Sequence, residues 1–267
     1  VLFPGTSLGI PAYTVKVHAK FPAEHPAIRG IVCVHESATG KLLAVMDSTY
    51  LTAIRTGIAG AIGADVLARK EADTAAVIGA GVQGEYQLRA LASLRTLRRV
   101  WVYDIASERA RAFAQTISNE LRVPIESVSS VERAARSADI LLVATWARAP
   151  FIVCGMLTSG AHVTTLGADE PGKAEVSAEL VEAALFVCDD RRLAVETGAV
   201  GNVGLGAEAV DAEIGEVLGD VHPGRTSAEE LTIYAGVGLP FQDTIAAWHV
   251  YQAAKARRIG TEMDFLA

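Results

Sequence analysis

Hydrophobic positions follow two different patterns along the chain. Between 74 and 190, short unbroken apolar runs ("TAAVIG" 74–79, "RVWVYD" 99–104, "ILLVATW" 140–146, "AHVTTLG" 161–167 and "ALFVCDD" 184–190) alternate with stretches of helical period at 83–94, 107–122, 130–140 and 177–185. Runs that are apolar on both faces suit strands buried inside a parallel sheet. Their alternation with helices predicts a doubly wound α/β fold.

The flanks carry other periods. "AYTVKVHAKF" (12–21) alternates with period two, and "RGIVCVHES" and "KLLAVMDS", joined by "ATG" (38–40), predict an antiparallel hairpin. A long helix is predicted over 49–69, with Leu51, Ile54, Ile58 and Ile62 as its apolar stripe. Thr52, Arg55, Ala59 and Gly63 form a neighbouring face of mostly small residues, from which Arg55 alone projects. A second helix is predicted over 239–260, with Pro240 near its start, basic residues in its last turn and Gly260 as its stop. The α/β unit, 69–219, is therefore expected as an insertion in a smaller α+β domain made of 1–68 and 220–267.

Composition narrows the function classes. The chain has 267 residues, 51% of them hydrophobic, and a net charge of −7, which leaves no basic footprint for nucleic acid. Arg89, Arg95, Arg98 and Arg99 do cluster, and read as the solvated face and end of a helix. Cys33, Cys154 and Cys188 stand far apart without a C-x-x-C, and are expected as buried free thiols in a reducing cytoplasm. No histidine spacing suggests a metal site, no apolar run is long enough to span a bilayer, and "VLFPGTSLG" lacks the basic start of a leader. The first residue is Val, so the natural start is expected to lie upstream.

"GAGVQG" (79–84) falls where a strand ends and a helix begins, and Asp104 follows Gly84 by 20 residues at the end of the next strand. Gly79 permits the tight turn, Gly81 lets backbone approach a pyrophosphate, and Gly84 lets helix and strand pack closely, while the helix N-terminus offers N–H groups to the anion. A carboxylate at Asp104 would accept from ribose hydroxyls and repel a 2′-phosphate. The expectation is a Rossmann-type dinucleotide fold preferring NAD(H) over NADP(H), although Arg109 is close in sequence.

Ligands of such sheets sit outside the carboxyl ends of the strands. "ATWARAP" and "TLGADEPGKAE" supply polar groups there, with Thr145 placed to touch coenzyme and Asp169 just past a strand end. Taken alone, Asp169 reads more readily as an ordinary turn residue, and Lys16, among apolar neighbours, as a lysine snorkelling to water. Taken together, Lys16, Arg55 and Asp169 suit hydride transfer at the α-carbon of an amino acid, the cations holding carboxylate and the acid moving a proton.

"VKVHAKFP", "TGKLLAVMDSTYLTAIRTGIAGAIGA", "VIGAGVQG", "ATWARAPF", "TLGADEPGKAE", "IGEVLG", "GR" and "VGLPFQD" occur in one order that resembles the ornithine cyclodeaminase/mu-crystallin family over essentially the whole chain. The resemblance implies a homodimer joined by the second domain, with the active site between domains. It implies that Lys16 binds the substrate carboxylate, with Arg55 near both it and the coenzyme. Val82 and Gln83 would lie beside the pyrophosphate and Asp104 at the ribose. Thr145, Thr165, Leu166 and Lys173 would contact coenzyme, and Asp169 would be the general acid/base. Gly236 and Val237 would lie where the chain returns to nicotinamide and substrate. Family members carry several dozen earlier residues, including another carboxylate-binding arginine and a nearby acid, with no counterpart in this chain.

The resemblance also implies a choice of reactions that share one hydride transfer. The preferred expectation is a reductase of 1-pyrroline-2-carboxylate or 1-piperideine-2-carboxylate, because cyclodeaminases of the family tend to be longer at the C-terminus and no polar partner for a distal substrate amine is identifiable. Ornithine cyclodeaminase (ornithine to proline plus ammonia), an alanine dehydrogenase-like enzyme and a non-enzymatic ligand-binding protein of mu-crystallin type are the alternatives.

Overall fold

The computed structural model describes residues 1–24 and 26–264. Contacts group Val1–Arg55 with the segment from Leu239 onward as one unit and Thr56–Gly238 as another, beside expected boundaries at 68/69 and 219/220.

In the first unit β1 (Leu2–Thr6), β2 (Ala12–Lys20), β3 (Ile28–Glu36) and β4 (Leu42–Asp47) form an antiparallel sheet in chain order. The period-two pattern of β2 turns Thr14, Lys16 and His18 to the buried face. Register carries that face across the sheet, so that Phe3, Lys16, Val32 and Met46 stand in one row. Helix α8 (Pro240–Arg257) packs on β1, β2 and β3, and Ala247 joins Ala12, Val32, Val34 and Leu51 in the core. Pro240 occupies its first turn and Lys255 and Arg257 its last. The stop differs from expectation: Arg258, not Gly260, takes the left-handed cap at φ 54, and its N–H bonds the Ala254 carbonyl.

Helix α1 (Thr49–Leu67) begins in the first unit and continues in the second. Its orientation corrects the sequence reading. Ile54, Ile58 and Ile62 are exposed, whereas Thr52, Ala53, Gly60, Ala61, Gly63 and Ala64 are buried. Close backbone approach decides this: a Cβ on Gly63 would lie 2.3 Å from the Tyr234 ring, and one on Gly57 2.6 Å from the Tyr86 backbone. The glycines bury themselves because only they fit, and the isoleucines are left on the surface.

The second unit is built on an eight-stranded, wholly parallel sheet. In chain order its strands are β5 (Thr74–Ile78), β6 (Arg99–Tyr103), β7 (Ile125–Ser127), β8 (Ile140–Val143), β9 (His162–Thr165), β10 (Leu185–Cys188), β11 (Ala212–Glu213) and β12 (Thr232–Ala235). Their spatial order is β11-β10-β12-β9-β8-β5-β6-β7. Helices α2 (Val82–Leu94) and α3 (Ser107–Leu121) cover one face with Leu88, Leu91, Phe113 and Ile117. Helices α4 (Val131–Arg136), α5 (Ala178–Ala183) and α6 (Arg191–Glu196) cover the other with Ala134, Ala135, Leu180, Val181 and Ala194, and α7 (Ile214–Leu218) follows β11. This is the expected doubly wound α/β fold. The strands β7 and β11, with three and two residues, are too short to leave a run in the sequence, whereas β12, as long as β8, β9 and β10, is an element the sequence reading missed.

Two smaller expectations are corrected. Arg95 is not solvated: it pairs with Asp65 at 2.6 Å and donates to the carbonyls of Asp65, Arg69 and Ala72, tying α2 to the end of α1. Of the three free thiols, Cys188 alone is buried, while Cys33 and Cys154 are partly accessible. Burial pushes the Cys188 thiol up to about 12.

Candidate active site

The sheet reverses its winding between β5 and β8, and ligands of open α/β sheets bind outside the carboxyl ends at such a point. Gly79 stands at the end of β5 with φ +100, and a Cβ there would lie 2.4 Å from the Ala144 carbonyl oxygen beyond β8. A Cβ on Gly84 would lie 2.2 Å from the Gly79 carbonyl oxygen. At Gly81 a Cβ would meet nothing within 4 Å. The first and third glycines are thus required by packing, whereas the second borders open space, as an approaching pyrophosphate requires. Helix α2 starts at Gly81 without a side-chain cap, so its first N–H groups lack helical acceptors. Val82 is exposed, and the half-buried Gln83 has no hydrogen-bond partner for Oε1 among the described residues.

Asp104 follows β6 and is buried. Its Oδ2 accepts from the Ala80 N–H at 2.9 Å and its Oδ1 from the Ala106 N–H at 2.9 Å, so the carboxylate also holds the glycine turn. Arg109 lies 3.7 Å from Oδ2. These residues fit a dinucleotide.

Beyond β8 and β9 the expected residues converge on one buried carboxylate. Glu175 Oε1 accepts from the Thr145 N–H at 2.5 Å and the Thr145 hydroxyl at 2.7 Å; Oε2 accepts from the Thr165 hydroxyl at 2.6 Å and the Gly167 N–H at 2.9 Å. Burial raises the pKa of Glu175, and these four donors oppose the rise. Leu166 is buried between Thr165 and Gly167. Lys173, also buried, reaches Asp169 Oδ1 at 3.0 Å and Glu170 Oε1 at 3.6 Å, with its Nζ 4.0 Å from the Trp146 ring centroid. The side chain of Asn202 pins this turn: Nδ2 donates to the carbonyls of Glu170, Lys173 and Thr197, and Oδ1 accepts from the Gly172 N–H.

Gly236 and Val237 follow β12. The Gly236 N–H donates to the Thr165 carbonyl, and a Cβ on Gly236 would lie 3.0 Å from Leu166. Asp189, at the end of β10, accepts from the N–H groups of Val237 at 3.1 Å and Gly238 at 2.6 Å. Burial raises its pKa.

The remaining expected residues lie in the first unit. Lys16 does not snorkel to water: it is wholly buried, with Nζ 2.7 Å from Asp243 Oδ2 and 4.6 Å from the Phe3 ring centroid. Arg55 donates from Nε to Asp243 Oδ1 at 3.1 Å and from Nη1 to Gln242 Oε1 at 2.8 Å. Two cations against one carboxylate leave a net positive charge in this trio. Burial first, and then Arg55, lower the Lys16 pKa to about 8 against the opposing pull of Asp243. His18 is held neutral, its pKa lowered to about 4 by burial and the Lys16 charge.

Sequence reasoning missed Asp243, Glu175, Asp189 and Asn202. Asp243 had one available signal: a lysine on the buried face of a strand needs a carboxylate, and "FQD" opens the helix that covers that strand.

Comparisons with known proteins agree on one lineage. The sequence profile of the ornithine cyclodeaminase/mu-crystallin family matches residues 2–258. The chain is 36% identical over 244 residues to an alanine dehydrogenase of Archaeoglobus fulgidus, covering 90% of this chain and 75% of the relative. The structure resembles Δ1-pyrroline-2-carboxylate reductase of Thermococcus litoralis in complex with NADH and L-proline, with TM-score 0.90, 31% identity, and coverage of 94% and 81% of the two chains. It also resembles an archaeal alanine dehydrogenase dimer with bound NAD, with TM-score 0.93, 32% identity, and coverage of 99% and 84%. This chain belongs to the ornithine cyclodeaminase/mu-crystallin family.

Proposed function

We propose that this chain is an NAD(H)-dependent reductase of cyclic imino acids, acting on 1-pyrroline-2-carboxylate or its six-membered homologue 1-piperideine-2-carboxylate. The observation that carries the reading is the open glycine cradle at the switch point, in the same sheet edge as the Asp169–Lys173 turn. Its likeness to the Thermococcus litoralis reductase supports the choice of substrate.

Bound NADH would supply a hydride to the C=N carbon. The chain's own residues do the rest. Gly79, Gly81, Val82, Gln83 and Gly84 hold the pyrophosphate against the start of α2. Asp104 takes the ribose end, and its buried carboxylate disfavours a 2′-phosphate, which supports NAD(H) over NADP(H). Thr145, Thr165, Leu166, Lys173 and Gly236 line the coenzyme, with Arg55 near it. Lys16 and Arg55 hold the substrate carboxylate, Val237 borders the substrate, and Asp169 moves the proton that the ring nitrogen gains as its double bond is reduced. The 36% identity to an alanine dehydrogenase supports a second reading, oxidoreduction at the α-carbon of an acyclic amino acid.

The working form is a homodimer in the cytoplasm. Val17, Ile31 and Val45, 43%, 45% and 48% exposed, form an apolar outer face on the small sheet, with Val17 and Ile31 directly paired across β2 and β3. A second copy of that face would cover it. Among the described residues no helix is long and apolar enough to cross a membrane.

The deciding assay mixes the protein with NADH and 1-pyrroline-2-carboxylate and follows coenzyme absorbance. Parallel samples hold NAD with ornithine, scored for ammonia and proline, and NAD with alanine. Rapid NADH consumption in the first alone supports the imine reductase. Ammonia with proline would replace it with a cyclodeaminase, and NAD reduction by alanine with an alanine dehydrogenase. Ligand binding without turnover in any sample would make it a binding protein.

A further inference from the structure

The coenzyme reading gives Thr145 a ligand-facing role but does not say whether its hydroxyl gives or takes a proton. Glu175 decides that. Its two oxygens each accept one backbone N–H, from Thr145 and from Gly167, and a backbone N–H cannot reverse. The Thr145 and Thr165 hydroxyls complete the set of four donors around a wholly buried carboxylate. Ionised, as these four donors favour, Glu175 offers only lone pairs, so the Thr145 hydroxyl commits its only hydrogen to it at 2.7 Å. Of its two lone pairs, one accepts from the Ala147 N–H at 3.3 Å. The other is what Thr145, the half-buried member of the pair, can offer a ligand; Thr165 is fully enclosed.

Resting on the coenzyme reading above, we propose that Glu175 is a positioning residue that fixes Thr145 as a hydrogen-bond acceptor, selecting a coenzyme O–H or N–H donor at this point of the sheet edge. The same carboxylate accepts from both the loop after β8 and the loop after β9, and the Glu175 backbone adds a further tie. The Phe151 and Ile152 N–H groups both bond the Glu175 carbonyl, and a Cβ on Gly167 would lie 2.3 Å from Oε1. Gly167 thus has no room for a side chain beside the carboxylate. An amide at this position would set its NH2 against a backbone N–H or hand a proton to one of the hydroxyls, reversing the polarity that the carboxylate imposes.

The test is NADH titration by fluorescence on the wild type, Glu175→Gln, Thr145→Val and the double variant, with circular dichroism to confirm folding. Glu175→Gln and Thr145→Val are each expected to weaken NADH binding roughly 10- to 100-fold. The double variant is expected to lose little beyond the worse single one, because both remove the same acceptor. Losses that multiply would assign Glu175 a merely structural role and overturn the proposal, as would an unchanged dissociation constant in folded Glu175→Gln. Should that variant not fold, Thr145→Val alone carries the test, and wild-type affinity there overturns it. A wild-type protein that binds no NADH would instead overturn the coenzyme reading, and this inference with it.

Discussion

Lys16 Nζ lies 2.7 Å from Asp243 Oδ2, with both side chains wholly buried, although the residues are far apart in the chain. Removing one partner strands the other's charge in a low-dielectric interior, a loss of about 3–5 kcal/mol. Asp243→Asn is therefore expected to lower unfolding free energy by roughly that amount, because Lys16 and Arg55 then face each other without a carboxylate. Lys16→Met in the same background should recover much of the loss. Urea denaturation of the single and double variants checks this, and purely additive losses would deny the coupling.

The same lysine sets an alkaline limit. Its pKa is lowered from 10.5 to about 8, so the folded state loses this proton at lower pH than the unfolded state does. The burial cost is fully present below pH 8 and is relieved as pH rises from about 8 to 10.5, so this group adds stability with rising pH. On the role proposed for Lys16, substrate binding would run the other way, because a neutral amine no longer holds a carboxylate. We expect kcat/KM for the imino acid to fall above pH 8 while stability does not fall with it, and a profile flat to pH 10 would remove Lys16 from carboxylate binding.

The contrast between Asp104 and Asp243 shows what the sequence could reveal. Asp104 lies 20 residues beyond Gly84, which opens the helix after one strand, and itself follows the end of the next strand, so local pattern alone locates the carboxylate. Asp243 meets Lys16 only after a four-stranded sheet and a helix have closed on each other, and such long-range pairing leaves no local spacing to read. The α1 stripe failed for a related reason. Periodicity finds faces but not their direction, and close backbone contact at Gly57 and Gly63 outweighed three isoleucines. Asn202 is invisible for a third reason: its four hydrogen bonds go to backbone groups, which carry no residue identity.

Those four bonds make Asn202 a test of how rigid the Asp169 turn must be. Asn202→Ala frees the carbonyls of Glu170 and Lys173 and the Gly172 N–H. A displacement of about 1 Å at a reacting group costs on the order of 100-fold in rate. The variant is expected to lose about 10- to 100-fold in kcat with a smaller change in NADH affinity. Steady-state kinetics with a parallel NADH titration separate the two, and an unchanged kcat would show that the turn holds without its anchor.

The outer face of the small sheet predicts assembly. Val17 and Ile31 are opposed across β2 and β3, and both point away from the core. Ile31→Glu puts a charge in the centre of that face without touching the row that holds Lys16. A monomer by light scattering, with the circular dichroism of the wild type, is the expected outcome. A variant that remains dimeric would move the interface elsewhere, with the exposed α1 isoleucines as the next candidate.

His162 predicts acid sensitivity of the parallel sheet. It is buried on β9, with Nδ1 2.8 Å from Thr232 Oγ1 and Nε2 3.0 Å from Thr164 Oγ1. Burial, then Arg225 and Arg95, lower its pKa from 6.5 to about 3. The unfolded chain therefore takes a proton at higher pH than the folded one, and stability is lost as pH falls from 6.5 toward 3, by roughly 4–5 kcal/mol at most. Glu175 and Asp189, with raised pKa values, oppose this on acidification, but they do so equally in a variant that keeps them. His162→Val leaves the Thr232 hydroxyl its Leu67 carbonyl acceptor and the Thr164 hydroxyl its Gly60 carbonyl, so neither is orphaned. Whatever its melting temperature at pH 7.5, the variant should lose less stability than the wild type between pH 6.5 and 4. Parallel melting curves over that range would place the acid-sensitive proton elsewhere.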